Sequence, residues 1–402
     1  RRRLSTSSPR PPRPRHMSTT LELGAPARAL VAVPSHDDAD ASTSRWYAAT
    51  NALREGNFLR LIERDVETKT AVVSRSIALE HRACEDVDVN ASATQAVVAY
   101  EDVGREVRRS RGVCVISGRL GGGGGHDGEE ETLGARSVIE LRAERGDDER
   151  EFETVKCARF NASGETVMTV DEFNARAWRR REDGGFASSS KTSTRSDASR
   201  SDIIGGMNTR QDGASNGTWD PHERESFACG VDADVVVFDA RSARRAQIVE
   251  RAHARQTRDV RYNPNKPHEM MTCGDDGLLK FWDARAHERA LKVIAGHEHW
   301  IWSCAYNPVY DALALTASSD GTVRVWCDDD ALPSDATASS TSARDRGVSS
   351  VRLIDRRTCK NFVSARASAW SASDPWAHAA ASADGTVLLG EVPREEKYRI
   401  LL

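Results

Sequence analysis

The sequence predicts an all-β chain folded as a propeller, and three observations carry that expectation. Aromatic residues return every 44 positions, at Phe238, Trp282 and Trp326. Inside that period His253 and His297, Asn263-Pro264 and Asn307-Pro308, Thr272 and Thr316, and Asp276 and Asp320 repeat in the same register. Each period divides into short strands around tight turn signals, Asp276-Gly277, Asp320-Gly321 and Asp384-Gly385. Several short strands per repeat of this length, without helical period, make the pattern of a propeller blade.

Residues 1–20 read as a basic disordered segment. Positions 1 to 16 carry six Arg, four Pro and no acid, and Met17 is the expected start, with a transit peptide as the alternative. Residues 21–402 read as one propeller. Asn57 to Glu63 closes a first blade. His81 and Val87 to Asn90 lead through Ala96 and Tyr100 to Val113 and Ile116. Ala158 to Asn161 lead through Val167 to Val170 to Trp178, and Phe238 ends the next blade. Arg258 to Tyr262 and Met270 to Cys273 precede Trp282; Trp302 to Tyr306 and Leu313 to Ala317 precede Trp326. Ala369 to Ser371, Ala379 to Ala381 and Leu388-Leu389 form the last blade. Closing strands thus fall near Leu61, Val115, Trp178, Phe238, Trp282, Trp326 and Leu389. The count is seven, with six or eight left open. Low-complexity insertions near 117–135, 182–217 and 328–350 should follow closing strands as disordered rim loops. The segment after Gly390 should add a strand that closes the ring.

Composition narrows the function classes. The chain has 402 residues, 39% hydrophobic and 29% charged, and a formal charge of −4, which gives no global case for nucleic-acid binding. No apolar run approaches the roughly 18 residues of a membrane span, so a soluble chain without membrane insertion is expected. The eight cysteines lie far apart with no C-x-x-C pair, which suits reduced, buried thiols in the cytosol. The Gly121 to Gly125 run lacks the Gly-Lys-Ser/Thr that a phosphate loop needs. No cofactor is expected, and no metal: His297 and His299 form an i, i+2 pair without an identifiable third ligand.

Gly296-His297, the Asp of the tight turn and Trp282-Asp283, at their spacing, resemble the WD40 family. That resemblance gives His253, Thr272, Asp276 and Trp282, and equally His297, Thr316, Asp320 and Trp326, a structural role. Each set would form one hydrogen-bond chain from turn to strand, satisfying a buried tryptophan N–H. The same residue types would suit a hydrolase triad, but an active site needs one copy and the pattern occurs twice. No catalytic residue is assigned, and the chain is not expected to be an enzyme. Blades with Ala228 and Phe238, or with Ala380, Gly390 and Asn361, depart from the pattern and should rely on packing alone.

Two surface signals remain. Strand alternation sends Ile301 to one face and Trp300 and Trp302 to the other, at the start of a first strand near the channel rim. Gln256 and Arg258 hold the matching positions one blade earlier, and all four are candidate partner-binding residues. Asp239-Ala240-Arg241 and Trp282-Asp283-Ala284-Arg285 resemble the Trp-Asp-x-Arg box by which WD40 receptors dock on a cullin–RING ligase adaptor, through Asp239, Arg241, Asp283 and Arg285.

A closer resemblance is to the EARP- and GARP-complex-interacting WD40 family. Three stretches carry it: Arg258 to Lys266, His297 to Trp302, and the tail from Ser373-Asp374-Pro375-Trp376 through Val392-Pro393-Arg394 to Lys397-Tyr398-Arg399-Ile400-Leu401-Leu402. The acidic insertion before the last blade and the Leu21 to Leu30 start also fit. The resemblance implies a non-enzymatic, monomeric scaffold that binds multisubunit vesicle-tethering complexes in endosomal recycling and endosome-to-Golgi transport. It would be cytoplasmic, peripheral to the trans-Golgi network and endosomes. A ligase substrate receptor is the alternative.

Overall fold

The computed structural model describes residues 19–34, 42–53, 56–103, 111–118, 120, 130–132, 137–141, 154–172, 174–193, 213–242, 244–286, 288–332 and 350–402. Strand β1 (Thr19–Glu22) opens the chain but belongs to the last sheet. The first blade holds β2 (Ala27–Ala32), β3 (Thr43–Thr50), β4 (Asn57–Asp65) and β5 (Ala71–Glu80). The second holds β6 (Arg82–Val89), β7 (Gln95–Asp102), β8 (Arg111–Ser117) and, beyond β9 (Glu130–Thr132), β10 (Ser137–Glu140). Strand β9 itself runs parallel to β5. Blade three is β11 (Val155–Phe160), β12 (Thr166–Asp171), β13 (Asn174–Arg180) and β14 (Phe186–Ser193). Blade four is β15 (Ala214–Trp219), β16 (Ser226–Val231), β17 (Asp234–Asp239) and β18 (Arg244–Val249). Blade five is β19 (Thr257–Tyr262), β20 (Glu269–Gly274), β21 (Leu278–Asp283) and β22 (Lys292–Ala295). Blade six is β23 (Ile301–Tyr306), β24 (Leu313–Ser318), β25 (Thr322–Asp328) and β26 (Val351–Thr358). The seventh is β27 (Ala365–Trp370), β28 (Ala377–Ser382) and β29 (Thr386–Glu391), completed by β1.

The propeller therefore has seven blades, and the seven expected strand ends all fall on real strands. They are third strands, however, and not closing ones. In six blades a fourth strand follows, and such strands as Arg244–Val249 and Phe186–Ser193 are polar edge strands whose sequence lacks the alternation of a half-buried one.

The ends of the chain differ from expectation. Ring closure comes from β1, paired antiparallel with β29 from Thr19↔Leu389 to Glu22↔Thr386. Strand therefore begins at Thr19, inside the segment expected to be disordered; residues 1–18 lie outside the described residues. The C-terminal tail is an α-helix, α1 (Arg394–Leu401), and not a strand. Its residues are good helix formers, with Glu395 and Glu396 in the first turn and Arg399 in the last, as the helix dipole favours. With β1 already on the edge of β29, the helix instead buries Ile400 and pairs Glu396 with Arg352.

Parts of the stretches read as insertions are ordered. Residues 186–193 and 214–217 are strand, as are 130–132, and 329–331 form a short 3₁₀ turn. Most of each insertion, 121–129, 194–212 and 333–349, lies outside the described residues. The core is a series of clusters lying between neighbouring blades. One joins last to first, with Leu23, Trp46, Ile62, Ala379 and Val387 all fully buried. All eight thiols are buried and free.

Candidate functional site at the channel mouth

One backbone irregularity recurs at the start of every first strand. The register against the second strand shifts by one residue between Ala27 and Ala29, Cys84 and Asp86, Val155 and Cys157, Thr257 and Asp259, Ile301 and Ser303, and Ala365 and Ala367. In the fourth blade it shifts between Ala214 and Gly217. A bulge of this kind leaves one residue out of the ladder and re-aims its side chain. The bulged residues are Arg28, Glu85, Lys156, Ser215-Asn216, Arg258, Trp302 and Arg366, and every one of them lines the cavity of about 140 Å³ at the head of the central channel.

The ring is strongly basic. Arg28 pairs with Glu85 at 2.9 Å, and Arg258 forks onto Asp275 at 2.6 and 2.7 Å. Among the described residues Lys156 and Arg366 make no ion pair. Arg366 instead lies 4.0 Å from the centroid of the Trp302 ring, and Arg258 lies 4.6 Å from the same centroid. Trp300 meets Trp302 edge to face at 5.8 Å and sits 5.2 Å from Arg258. Burial, followed by the repulsion of Arg28 and Arg258, lowers the affinity of Arg366 for its proton. Burial does the same to Lys156.

At and beside the bulges, side chains stitch several inner strands to the next blade. Asp86 accepts from the Ala158 amide at 3.1 Å, and Asp259 accepts from the Cys304 amide at 3.1 Å. The Ser215 hydroxyl donates to the Thr257 carbonyl at 2.6 Å. Arg159 and Arg261 neutralise Asp86 and Asp259. The mouth is thus mounted on a stiff frame.

Of the four sequence candidates, Trp300, Trp302 and Arg258 meet here, half-buried and in mutual contact. Gln256 also lines the cavity but is only 8% exposed, so its polarity did not mark a solvent-facing position. Sequence reasoning missed Arg28, Lys156 and Arg366. Aligning each blade on the residue equivalent to Arg258 would have found them, but the weak blades and long insertions hide that register.

The two tetrads stand apart from the mouth and serve the blades. Trp282 Nε1–H donates to Thr272 Oγ1 at 2.9 Å, whose hydroxyl donates to His253 Nε2 at 2.8 Å, and His253 Nδ1–H donates to Asp276 at 2.8 Å. Trp326, Thr316, His297 and Asp320 repeat the chain at 2.9, 2.8 and 2.9 Å. Although burial opposes it, the contact with His253 holds the Asp276 carboxyl at about 2. Gly296 precedes His297 because a Cβ there would collide with the Trp326 ring. A third bond of the same kind went unread: Trp178 donates to Thr169 at 2.9 Å.

The paired Asp-x-Arg sequences are local turns. Asp283 receives Arg285 at 3.0 Å in an exposed ion pair. Asp239 accepts from the Arg241 amide at 2.8 Å and from the Ser242 hydroxyl at 2.8 Å.

Two likenesses to known proteins bear on the fold and the family. The family model described as the EIPR1 beta-propeller matches residues 192–326, which span blades four and five, two strands of blade six and most of its third. Among solved structures, the WD40 beta propeller domain of Doa1 superposes with a TM-score of 0.59 at 14% identity, covering 94% of this chain and 97% of that one. The second likeness carries the fold alone.

Proposed function

We propose that this chain, an EIPR1-like WD40 propeller, is a non-enzymatic scaffold that docks through its channel mouth on multisubunit vesicle-tethering complexes of the EARP and GARP type. It would then act in endosomal recycling and endosome-to-Golgi transport, held peripherally at the trans-Golgi network and endosomes. The family match over residues 192–326 is the observation that carries this reading. It covers both tetrads and the Arg258–Trp300–Trp302 cluster, and the flanking stretches Arg258 to Lys266 and His297 to Trp302 fall inside it.

The mouth suits protein docking for physical reasons. Its side chains are fixed by bulges and interblade hydrogen bonds, so binding has little ordering entropy to overcome. Indoles and guanidinium groups are the side chains that most often dominate an interface. The ligase-adaptor reading gains no specific support, because Arg285 folds back on Asp283 within its own turn.

Affinity purification of the tagged full chain with mass spectrometry tests the reading. Tether subunits should be recovered with the native chain and depleted with Arg366→Glu. Recovery of a ligase adaptor without tether subunits would overturn it.

A further inference from the structure

A second cavity, of about 760 Å³, opens at the other end of the last blade. Register places it far from the mouth: Ala365 at the mouth end pairs with Ser382, whereas Glu391 pairs with Ala377 at the opposite end. The cavity lies between the end of β29, the turn after β4 and helix α1. Its volume is that of a small-ligand site.

The charge on its walls is one-sided. Arg64, Lys69, Arg357, Arg394 and Lys397 face one carboxylate, Glu391. Lys69 reaches Glu391 at 2.8 Å, Arg64 reaches it at 3.3 Å, and Lys397 also bonds to it. Arg357 is neutralised by Asp355 at 2.8 Å. Among the described residues Arg394 meets only Tyr398, whose hydroxyl it reaches at 3.1 Å. Among the described residues, the five cations of the lining thus make direct ion pairs with two carboxylates. Arg64 is 4% exposed, and its Nε and Nη1 have no hydrogen-bond partner among the described residues. Behind the wall His378 is buried with neither ring nitrogen paired among the described residues, and burial together with Arg357 and Arg64 holds its pKa at about 3.

We propose that this cavity binds a compact ligand carrying two or more phosphate groups, held by Arg64, Lys69, Arg394 and Lys397. Among the described residues the wall carries three positive charges in excess of those two carboxylates. A phosphate monoester carries about −1.5 to −2, so two phosphates neutralise them where three separate carboxylates would be needed. Guanidinium groups match phosphate geometry with paired donors. An inositol polyphosphate has the required chemistry, either free or as a lipid headgroup. Helix α1 bears on the second source: Tyr398, Leu401 and Leu402 are 52%, 57% and 82% exposed beside the basic wall, an arrangement that suits a membrane interface. The site does not depend on the tether reading, since it lies at the opposite end of the blade from the mouth.

The test uses the purified full chain, with soluble inositol trisphosphate followed by titration calorimetry. Flotation is run in parallel with phosphatidylcholine vesicles containing phosphatidylinositol bisphosphate, and with phosphatidylserine vesicles of matched charge. The trisphosphate should bind, and Lys69→Gln combined with Arg394→Gln should weaken it about tenfold or more. Both side chains reach solvent, so circular dichroism should be unchanged, and Arg258→Gln at the mouth should bind as the native chain does. A lipid source adds flotation with bisphosphate vesicles that Leu401→Ser and Leu402→Ser abolish; binding of the trisphosphate alone assigns the free ligand. A folded native chain that ignores the trisphosphate, or floats equally with both vesicle types, overturns the proposal. So does binding that survives the Lys69 and Arg394 changes.

Discussion

His378 faces Gly390 across the β28–β29 pair, where Met270 faces Trp282 and Ala314 faces Trp326 in the two preceding complete repeats. The imidazole takes the space that the indole fills elsewhere. A Cβ on residue 390 would strike the His378 ring and the Arg357 guanidinium. Gly390→Ala should therefore destabilise the fold by about 1–3 kcal/mol, the usual penalty of overpacking. Thermal unfolding measures this, and an unchanged melting temperature would show that the ring moves aside freely.

The same histidine makes stability depend on pH. Its folded pKa is depressed to about 3 by burial and by Arg357 and Arg64. An unfolded imidazole ionises near pH 6.5, so between these values the unfolded chain binds a proton that the folded one refuses. Stability thus falls as pH drops below about 6.5 and is unaffected above it. At about pH 5 the loss from this residue alone is about 2 kcal/mol. The His378→Leu variant should lose correspondingly less between neutral pH and pH 5 in parallel denaturant titrations. Equal losses in both chains would assign the acid sensitivity to other groups.

Removing the acid end of a tetrad should orphan the rest of its chain. Asp320 binds His297 at 2.9 Å and also accepts from the Thr322 amide at 2.9 Å, so Asp320→Ala should destabilise by about 1–3 kcal/mol per unsatisfied buried group. Asp276→Ala should behave alike. Asp384 accepts from the Thr386 amide but has no histidine partner among the described residues; Asn361, read from sequence as the equivalent position, stands outside the blade in a left-handed turn (φ 56°). Asp384→Ala should accordingly cost less than either, and equal shifts in melting temperature for all three would refute the network account.

Most of the ring was legible because its third strands repeat on the same residue types, from Leu61 and Val115 to Leu389. Both tetrads were legible for the same reason: their side chains recur every 44 positions. What escaped was set by tertiary geometry. A bulge leaves no mark in the sequence, so Arg28, Lys156 and Arg366 looked like ordinary surface charges until the register shifts aligned them. The tail Lys397 to Leu402 alternates in a way compatible with strand, yet β1 already holds the edge it would have paired with. Trp178 and Thr169 sit nine positions apart where the tetrads have ten, and the shorter hairpin concealed their bond.

Closure by β1 orders the two chain ends by importance. Four residues of ladder and the burial of Leu23 at 0% exposure depend on the N-terminal strand. A fully buried leucine is worth about 1.5–3 kcal/mol before the lost pairing is added. Deleting residues 19–23 should expose the edge of β29 and lead to aggregation. Truncation after Val392 removes α1, with one buried side chain, Ile400, and the Glu396–Arg352 pair. That truncation should lower the melting temperature by less and leave the oligomeric state seen in size-exclusion chromatography unchanged. The reverse order would mean that the helix closes the ring.

Partner binding at the mouth should depend on Trp302 as the spacer between two like charges. Its ring lies 4.6 Å from Arg258 and 4.0 Å from Arg366, and Arg258 is further held by Asp275. Arg366 has no such second hold among the described residues. Trp302→Ala should release it and weaken recovery of a partner by about 2 kcal/mol, whereas Trp302→Phe keeps a ring face and should retain more of the binding. Arg366→Gln should weaken binding and flatten its dependence on salt, since one cation fewer at the mouth contributes to attraction. Trp300→Ala should matter less, its ring touching only one of the two guanidinium groups at 5.2 Å. Deletion of residues 333–349 should leave binding intact. The ends of that insertion are excluded from the deletion because Asp328 holds Lys292 at 2.6 Å and Ser350 at 2.7 Å within the blade. Pull-downs at two salt concentrations, on variants with native circular dichroism, measure all five changes. Normal binding by Trp302→Ala, or loss on deleting the insertion alone, would move the contact away from the channel mouth.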